Sequence, residues 1–470
     1  MAGRSASIGK EWFLAMSDRA RSSETSVWEP VDLPESEPLE DPRSTLSEIE
    51  TIADEWIIDN LDQFDPFSWT ALSGRNLRRK AFTELALHLY VARGVGETYS
   101  SSEPHDLVVD RANDRRYRDL VRRNPRELLK YTHPLTYAKV SGDLDGATAT
   151  AVDSVLDQQT VWSVERVPHR QMDLWHFCLV YGYADCPIDK DAVLPLGSLN
   201  HPPNVANADL SDLYAVTHNL YYYHNFGVDH PAFPDDIAPY DLTTALVGGI
   251  LRYIAVGNCD IVLELLLAGV LQRQVPPDLV RFALAWVRHL AAEPGYLPGP
   301  DEKPAELPSG DLESWGSEDR EWARHYHTNL VGATATKVIK SRADWPELAE
   351  SGDDYRPSAE LIDRIRLGQF LHSLSQYTLG LAARQLKGLV DADFSDPYAT
   401  VLETGVRYLR QQQSSDGQYG FWTDEEAVYT VRGNNRDAFR EQMVQPVTEA
   451  CSEAIEKYSN SGSETEDGPG

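Results

Sequence analysis

The 470-residue chain has few cysteines and no long apolar runs. Its four cysteines form no Cys-x-x-Cys pair, so neither a zinc ribbon nor a disulfide framework is indicated, and we expect reduced cytosolic thiols. No run of about 18 apolar residues could cross a bilayer, and the N-terminus lacks the apolar segment of a secretory signal. We therefore expect a cytoplasmic protein.

Basic residues are also scarce. The chain has 43 Lys and Arg, of which 10 are Lys, against 74 Asp and Glu, so its formal net charge is -31. This excess of acid, spread along the chain, argues against nucleic acid or an anionic membrane as a partner. It is typical of halophilic proteins, which stay soluble in high salt, and also of acidic proteins from high-GC bacteria.

Several motifs of known chemistry are missing. The sequence contains no G-x-G-x-x-G or G-x-x-x-x-G-K-[ST] phosphate loop, no G-x-S-x-G elbow and no H-E-x-x-H pair. Nucleotide cofactors and serine hydrolase chemistry are therefore unsupported, and we expect no cofactor.

Apolar residues recur with the helical period almost throughout, whereas alternating strand patterns are nearly absent. The sequence predicts an all-α fold, with a disordered segment over 1–44, a helical bundle over 45–165, a larger helical domain over 166–458 and a disordered acidic tail over 459–470. Helical pairs of similar spacing from about residue 166 predict that the larger domain is an α/α toroid around a central cavity.

The helix from Tyr214 to Gly227 has an unusual polar face. With 3.6 residues per turn, Tyr214, His218, Tyr221 and Asn225 lie on one side, so two phenols, an imidazole and an amide share it. We interpret the face as lining a cavity, with His218 as a general acid/base or ligand. The alternative is an aromatic cluster at the surface or at an interface.

Two further motifs carry candidate catalytic or binding side chains. Asp260 and Glu264 lie one helical turn apart, and burial of Glu264 within its apolar run would raise its pKa; Asp260 could instead be a first-turn acid that the helix dipole favours. His325 and His327 diverge by about 200° on a helix, and His327 is the one we place in the interior; the alternative is a solvated or capping histidine.

A polar stripe follows another otherwise apolar helix. It contains Gln369, His372 or its neighbour Ser373, and Gln376, which we assign to substrate binding. The alternative is a hydrogen-bond network between helices.

The segment 411–422, QQQSSDGQYGFW, combines a helix end, an Asp-Gly turn, a second glycine and three aromatic residues. It resembles the turn that closes helical hairpins in terpene cyclases and protein prenyltransferases. The resemblance covers about a dozen residues and implies a toroid fold, in which glutamine braces a helix end. The cyclase Asp-x-Asp-Asp motif, the Asp-rich diphosphate motif, the prenyltransferase zinc set and the Cys-His pair of lanthionine cyclases are absent.

A second resemblance spans about residues 166–430. Thr217-His218 with Asn225-Phe226-Gly227, Asp260 with Glu264, and Tyr326-His327-Thr328 look like a family of uncharacterised helical proteins, a domain of unknown function, from actinobacteria and salt-loving archaea. This resemblance implies no known activity.

Two functional hypotheses follow. In the first, the protein is an enzyme in which His218 and Glu264 are an acid/base pair and His327, Tyr221 and Asn225 position an organic or peptide substrate. In the second, it is a non-catalytic module that binds a peptide or small ligand in the same cavity; a purely structural role is a third reading. The spacing of His218, His327, Cys259, Asp260 and Glu264 matches no known zinc pattern, so no metal site is predicted. The ligand types are nevertheless present in these residues, and a bound metal is the less favoured alternative. The sequence does not indicate the oligomeric state.

Overall fold

The computed structural model describes residues 27–34, 42–68, 72–97, 101–229, 231, 239–300, 315–342, 359–419 and 444–463. In these ranges the chain is almost entirely helical, and its one extended pairing is an isolated bridge between Gln413 and Tyr419. The all-α prediction is confirmed. None of the described helices is both long and apolar enough to cross a lipid bilayer.

The first nine helices of the described chain are α1 (Pro42–Asp59), α2 (Leu72–Gly94), α3 (Glu103–Ala112), α4 (Arg115–Arg123), α5 (Thr132–Ser141), α6 (Gly146–Leu156), α7 (Gln159–Trp162), α8 (Pro168–Tyr181) and α9 (Lys190–Val193). The remaining ones are α10 (Leu210–Tyr223), α11 (Pro239–Ala255), α12 (Cys259–Gln272), α13 (Pro277–Ala292), α14 (Ser317–Arg342), α15 (Ala359–Ser375), α16 (Leu379–Leu389), α17 (Tyr398–Gln411) and α18 (Gln445–Ser463). Short 3-10 helices lie at Leu61–Phe64, Pro125–Tyr131, Leu194–Leu196 and Asn225–Gly227.

Six of these helices contact one another in a closed order, and we call them the ring helices. α2 packs against α5, α5 against α8, α8 against α10, α10 against α12, α12 against α14, and α14 against α2. The ring helices come from both sides of residue 165, and their buried apolar residues belong to one continuous core.

Local sequence explains where the ring helices begin and end. Asp209 caps α10 by accepting from the Asp212 N–H, and Asn258 caps α12 by accepting from the Ile261 N–H. Gly142 and Gly182 end α5 and α8 in the left-handed conformation that glycine adopts without strain. Nearly every residue of α12 is buried, so any polar side chain on it faces protein rather than solvent.

The other long helices pack against the ring helices or against one another. α1 lies against α13 and α14, and α11 lies against α12. α15 extends the structure from α11, followed by α16 and α18. At the crossing of α11 and α15, Gly368 approaches the Leu251 carbonyl so closely that a Cβ at residue 368 would overlap it.

Some elements differ from the sequence prediction. α10 ends at Tyr223, and Asn225 and Phe226 have positive φ angles of 47° and 53°, so Asn225 does not continue the polar face of that helix. The helical periodicity of the sequence does not show the break at Tyr377, where φ is 54° and which lies between α15 and α16.

The predicted disordered ends are only partly described. Residues 27–34 contact other parts of the fold, and α18 runs to Ser463. The predictions for 1–26, 35–41 and 464–470 lie outside the described residues. In the aromatic turn, Gln413 Nε2 donates to the Gly417 carbonyl at 3.0 Å, and residues 420–422 lie outside the described residues.

Candidate functional site

Four ring helices bring five titratable side chains together. α2 supplies Glu84, α10 supplies His218, α12 supplies Asp260 and Glu264, and α14 supplies His327; we call this set the acid–histidine cluster. Asp260 and Glu264 are buried, whereas the side chains of His218 and His327 are 31% and 30% exposed. The two carboxylates therefore lie beneath imidazoles that solvent reaches.

His327 lies at the centre of the cluster. Its Nδ1 lies 3.2 Å from Glu84 Oε2, and its Nε2 lies 3.8 Å from both Asp260 Oδ1 and Glu264 Oε1. One imidazole thus joins three carboxylates from two helices. Its neighbour His325 accepts a hydrogen bond from the Gly299 N–H instead and is 5% exposed, so it is the more buried of the two, whereas His327 is the one that reaches the cluster. The prediction that His327 is the interior histidine was therefore wrong on burial, because the segment that contains Gly299 covers His325.

Hydroxyl groups of α10 hold the far oxygens of both buried carboxylates. The Tyr214 hydroxyl donates to Asp260 Oδ2 at 2.7 Å, and the Thr217 hydroxyl donates to Glu264 Oε2 at 2.8 Å. The Tyr221 hydroxyl donates to the Glu264 carbonyl at 2.6 Å, so Tyr221 supports the backbone of α12 rather than facing an open cavity.

The orientation of His218 is set by its own helix. His218 Nδ1 lies 2.8 Å from the Tyr214 carbonyl, which can only accept, so the neutral ring carries its proton on Nδ1 and leaves a lone pair on Nε2. Glu264 Oε2 lies 3.8 Å from the same Nδ1. The rings of Tyr214, Tyr221 and Tyr222 surround the imidazole.

The carboxylates of the cluster have unlike pKa values. Burial raises the pKa of Asp260, and the charge of Glu264 adds to this effect against the pull of His327. For Glu264, burial alone would raise the pKa, but the attraction of His218 and His327 outweighs it and the pKa is lowered. Burial also opposes ionisation of Glu84, yet Lys80 and His327 bring its pKa to about 2.

The expected rise in the pKa of Glu264 was therefore wrong, because two histidines from other helices lie beside it. The histidines differ as well. Burial lowers the pKa of His218, whereas Asp260 and Glu84 overcome burial and raise the pKa of His327. Burial and the carboxylates of Asp260 and Glu264 raise the pKa of Tyr214.

Helices α5 and α8 add buried groups that the sequence analysis missed. Burial lowers the pKa of His133 to about 3 and that of His176 to about 4, and it raises the pKa of Asp173 to about 6. His176 Nε2 lies 2.6 Å from Asn225 Oδ1, which also accepts from the Tyr90 hydroxyl at 2.7 Å. Asn225 thus belongs to this second polar group and not to the face that bears His218.

Gln369, His372 and Gln376 lie elsewhere. They line a cavity of about 580 Å³ with residues of α11, α13, α16 and the segment 29–32, and none of the acid–histidine cluster lines it. Gln369 Nε2 donates to the Glu29 carbonyl at 2.7 Å, and Gln385 Nε2 donates to the Val27 carbonyl at 3.1 Å. The polar helix face that contains His218 and the one that contains Gln369 therefore do not meet in one cavity.

Glu84 was missed because a single glutamate on an amphipathic helix is usually a solvated residue. Its signal was the sequence Phe82-Thr83-Glu84-Leu85-Ala86, where the acid stands among residues that are mostly buried. Asp173 and His176 likewise occur on an apolar helix, three residues apart and so on one side.

The cluster also has the composition of a cation site. One atom each of Asp260, Glu264 and His327 lie within 4.8 Å of one another, and among the described residues this is the one group of three such side chains.

The fold and the site define a class of all-helical proteins in which helices that contact one another in a closed order bring carboxylates and histidines together. The chain belongs to the family described as domain of unknown function DUF6895, whose model matches residues 52–337. The match begins in α1 and ends in α14, so it includes the ring helices and every residue of the acid–histidine cluster. Searches of curated proteins and of solved structures find no match.

Proposed function

We propose that this protein is an enzyme that uses acid–base chemistry on a polar organic or peptide substrate, with the acid–histidine cluster as its active site. The observation that carries the proposal is the position of His218 beside Glu264, with 3.8 Å between Nδ1 and Oε2. Acid–base catalysis needs both groups within reach of one substrate position. A wide separation of His218 and Glu264 would instead have favoured a binding module.

The roles follow from the contacts of each group. His218 Nε2 is the proton acceptor, since Nδ1 is held by the Tyr214 carbonyl. The positive charge that His218 then gains is stabilised by the buried carboxylate of Glu264. Asp260 and His327 hold polar groups of the substrate. Tyr221 is a positioning residue, because its hydroxyl acts on the backbone of α12.

We also infer that the ring helices are the inner layer of an α/α toroid. The closed order of their contacts supports this arrangement, with α1, α11 and α13 outside. In such a fold the side chains of the inner layer meet in one central cavity, which accounts for titratable residues on α2, α5, α8, α10, α12 and α14.

A second candidate function is binding of an extended peptide, at the cavity next to residues 29–32. Gln369, Gln385 and Trp286 all donate to backbone carbonyls of the segment 27–32, a mode of recognition that does not depend on the side chains of the bound strand.

The test is a substrate panel of peptides, esters, amides and glycosides, followed by mass spectrometry. The wild-type chain is expected to convert at least one compound, and H218Q and E264Q are expected to lower that rate by about 100-fold or more. H105Q is the matched control, because His105 is partly exposed and contacts Tyr137 and Asp143, neither of which belongs to the acid–histidine cluster. Equal rates in E264Q and the wild type, or no conversion by the wild type, would count against the proposal.

A further inference from the structure

We propose that Asp260 Oδ1, Glu264 Oε1 and His327 Nε2 bind one divalent transition metal ion. This inference deepens the proposed function and rests on it for the role of the site: with an ion bound, Asp260 and His327 act on polar groups of the substrate through the metal. The binding itself can be measured without any substrate. The spacing of these residues in the sequence predicted no metal site, because the third ligand lies on a separate helix, 63 residues after Glu264.

The three atoms have the arrangement of ligands around one ion. Asp260 and Glu264 are one turn apart on α12, and His327 faces them from α14, with its Nε2 3.8 Å from an oxygen of each. This separation is too long for hydrogen bonds. Ligand atoms that each stand about 2 Å from a shared cation lie up to about 4 Å apart, and both separations from His327 Nε2 are within this limit. All three atoms lie within 4.8 Å of one another.

Each ligand is also held through its other polar atom. Tyr214 donates to Asp260 Oδ2, Thr217 donates to Glu264 Oε2, and Glu84 lies 3.2 Å from His327 Nδ1. A carboxylate on the far nitrogen of an imidazole places the Nε2 lone pair towards the metal, and such outer contacts accompany most metal-bound histidines. The contacts thus leave one atom on each of the three side chains directed towards the others, and His327 gives up its Nε2 proton when a metal ion binds there.

An unpartnered oxygen provides the independent sign of a ligand. Asp260 is 2% exposed, and its Oδ1 has no hydrogen-bond partner among the described residues. A buried carboxylate oxygen without a partner is costly, and a cation bound at that oxygen removes the cost. Two carboxylates also match the charge of a divalent ion.

The chemical types of the three ligand atoms indicate which metal ions fit the site. Two carboxylate oxygens and one imidazole suit zinc, manganese or iron, whereas calcium and magnesium prefer oxygen ligands throughout. Three protein ligands leave positions for water and substrate, and a bound water is more acidic than free water. His218 stands beside this site and can accept a proton from such a water.

The experiment begins with the full chain purified without chelator, whose metal content is measured by mass spectrometry. Chelator-treated protein is then titrated with Zn²⁺ and with Mn²⁺. We expect one ion per chain and loss of binding in D260N and H327Q. Because D260N and H327Q also alter buried contacts of the fold, Y214F and E84Q test the outer contacts without removing a ligand; each should weaken binding 10- to 100-fold. H105Q should bind as the wild type does.

Circular dichroism verifies that each variant is folded. If the wild type binds neither ion, or if folded H327Q binds as tightly as the wild type, the metal site is refuted. Conversion of substrate by chelator-treated wild type would also refute a catalytic metal while leaving the acid–base proposal standing. Stoichiometric metal without any conversion supports the site and counts against the enzyme.

Discussion

Lys337 is a buried cation near the end of α14. Its side chain is 1% exposed, and its ammonium group donates to Glu50 Oε1 at 2.8 Å and to Asp54 Oδ2 at 2.6 Å, both on α1. These contacts join an outer helix to a ring helix. We predict that K337M destabilises the protein strongly.

The magnitude follows from the exposure of each partner. Removal of one partner from a buried ion pair costs about 3–5 kcal/mol, because the other charge stays behind in a poorly solvated place. Glu50 and Asp54 are 14% and 21% exposed, and Glu50 keeps a second ion pair with Lys340. Both facts reduce the loss, so we expect about 3 kcal/mol for K337M, at the lower end of that range.

The assay is urea denaturation followed by circular dichroism. K340M is the matched control, because Lys340 is a lysine on the same helix, 26% exposed, that also pairs with Glu50; it should lose less than about 1 kcal/mol. A double-mutant cycle of K337M with D54N should give a coupling energy of about 2 kcal/mol. A loss in K337M no larger than that in K340M, or a coupling energy near zero, would refute the reasoning.

Two further predictions concern stability. Burial raises the pKa of Asp173 to about 6, so between about pH 4 and 6 the folded state holds a proton that the unfolded state has lost, and the free energy of unfolding falls as the pH rises. Relative to D173N, which cannot ionise, the wild type should lose about 3 kcal/mol over this interval, measured by denaturation at stepped pH. Parallel pH profiles of the two proteins would contradict this. G368A should cost about 2 kcal/mol or more in the same assay, because its Cβ overlaps the Leu251 carbonyl, whereas G146A, with open space at that position, should change stability by less than about 0.5 kcal/mol. Similar stability of both glycine variants would show that α11 and α15 separate easily.

The helical class was predictable because it depends on local periodicity. The apolar run that contains Glu264, for example, lies within a helix, α12. The interruptions were not predictable in this way. Tyr377 and Asn225 adopt positive φ angles that non-glycine residues rarely take, and only the surrounding contacts, such as those of Asn225 with Tyr90 and His176, stabilise them.

The candidate site was predictable in part. His218, Glu264 and His327 were selected as polar residues at positions where an apolar residue would be expected, and they do lie together. Glu84 was not found, because its partner His327 lies 243 residues away. Gln369 is, like His218, a polar residue on an otherwise apolar helix, yet it lines a cavity that no residue of the acid–histidine cluster lines.

The amino-acid sequence by itself determined that the protein is acidic and helical, and which polar residues occur on apolar helices. These properties depend on composition and on neighbours within a few turns. The tertiary structure decided which of those residues meet, because the packing of α2, α10, α12 and α14 joins positions far apart in the chain. It also decided the charge of Glu264, since pKa values depend on what lies within a few ångströms in space.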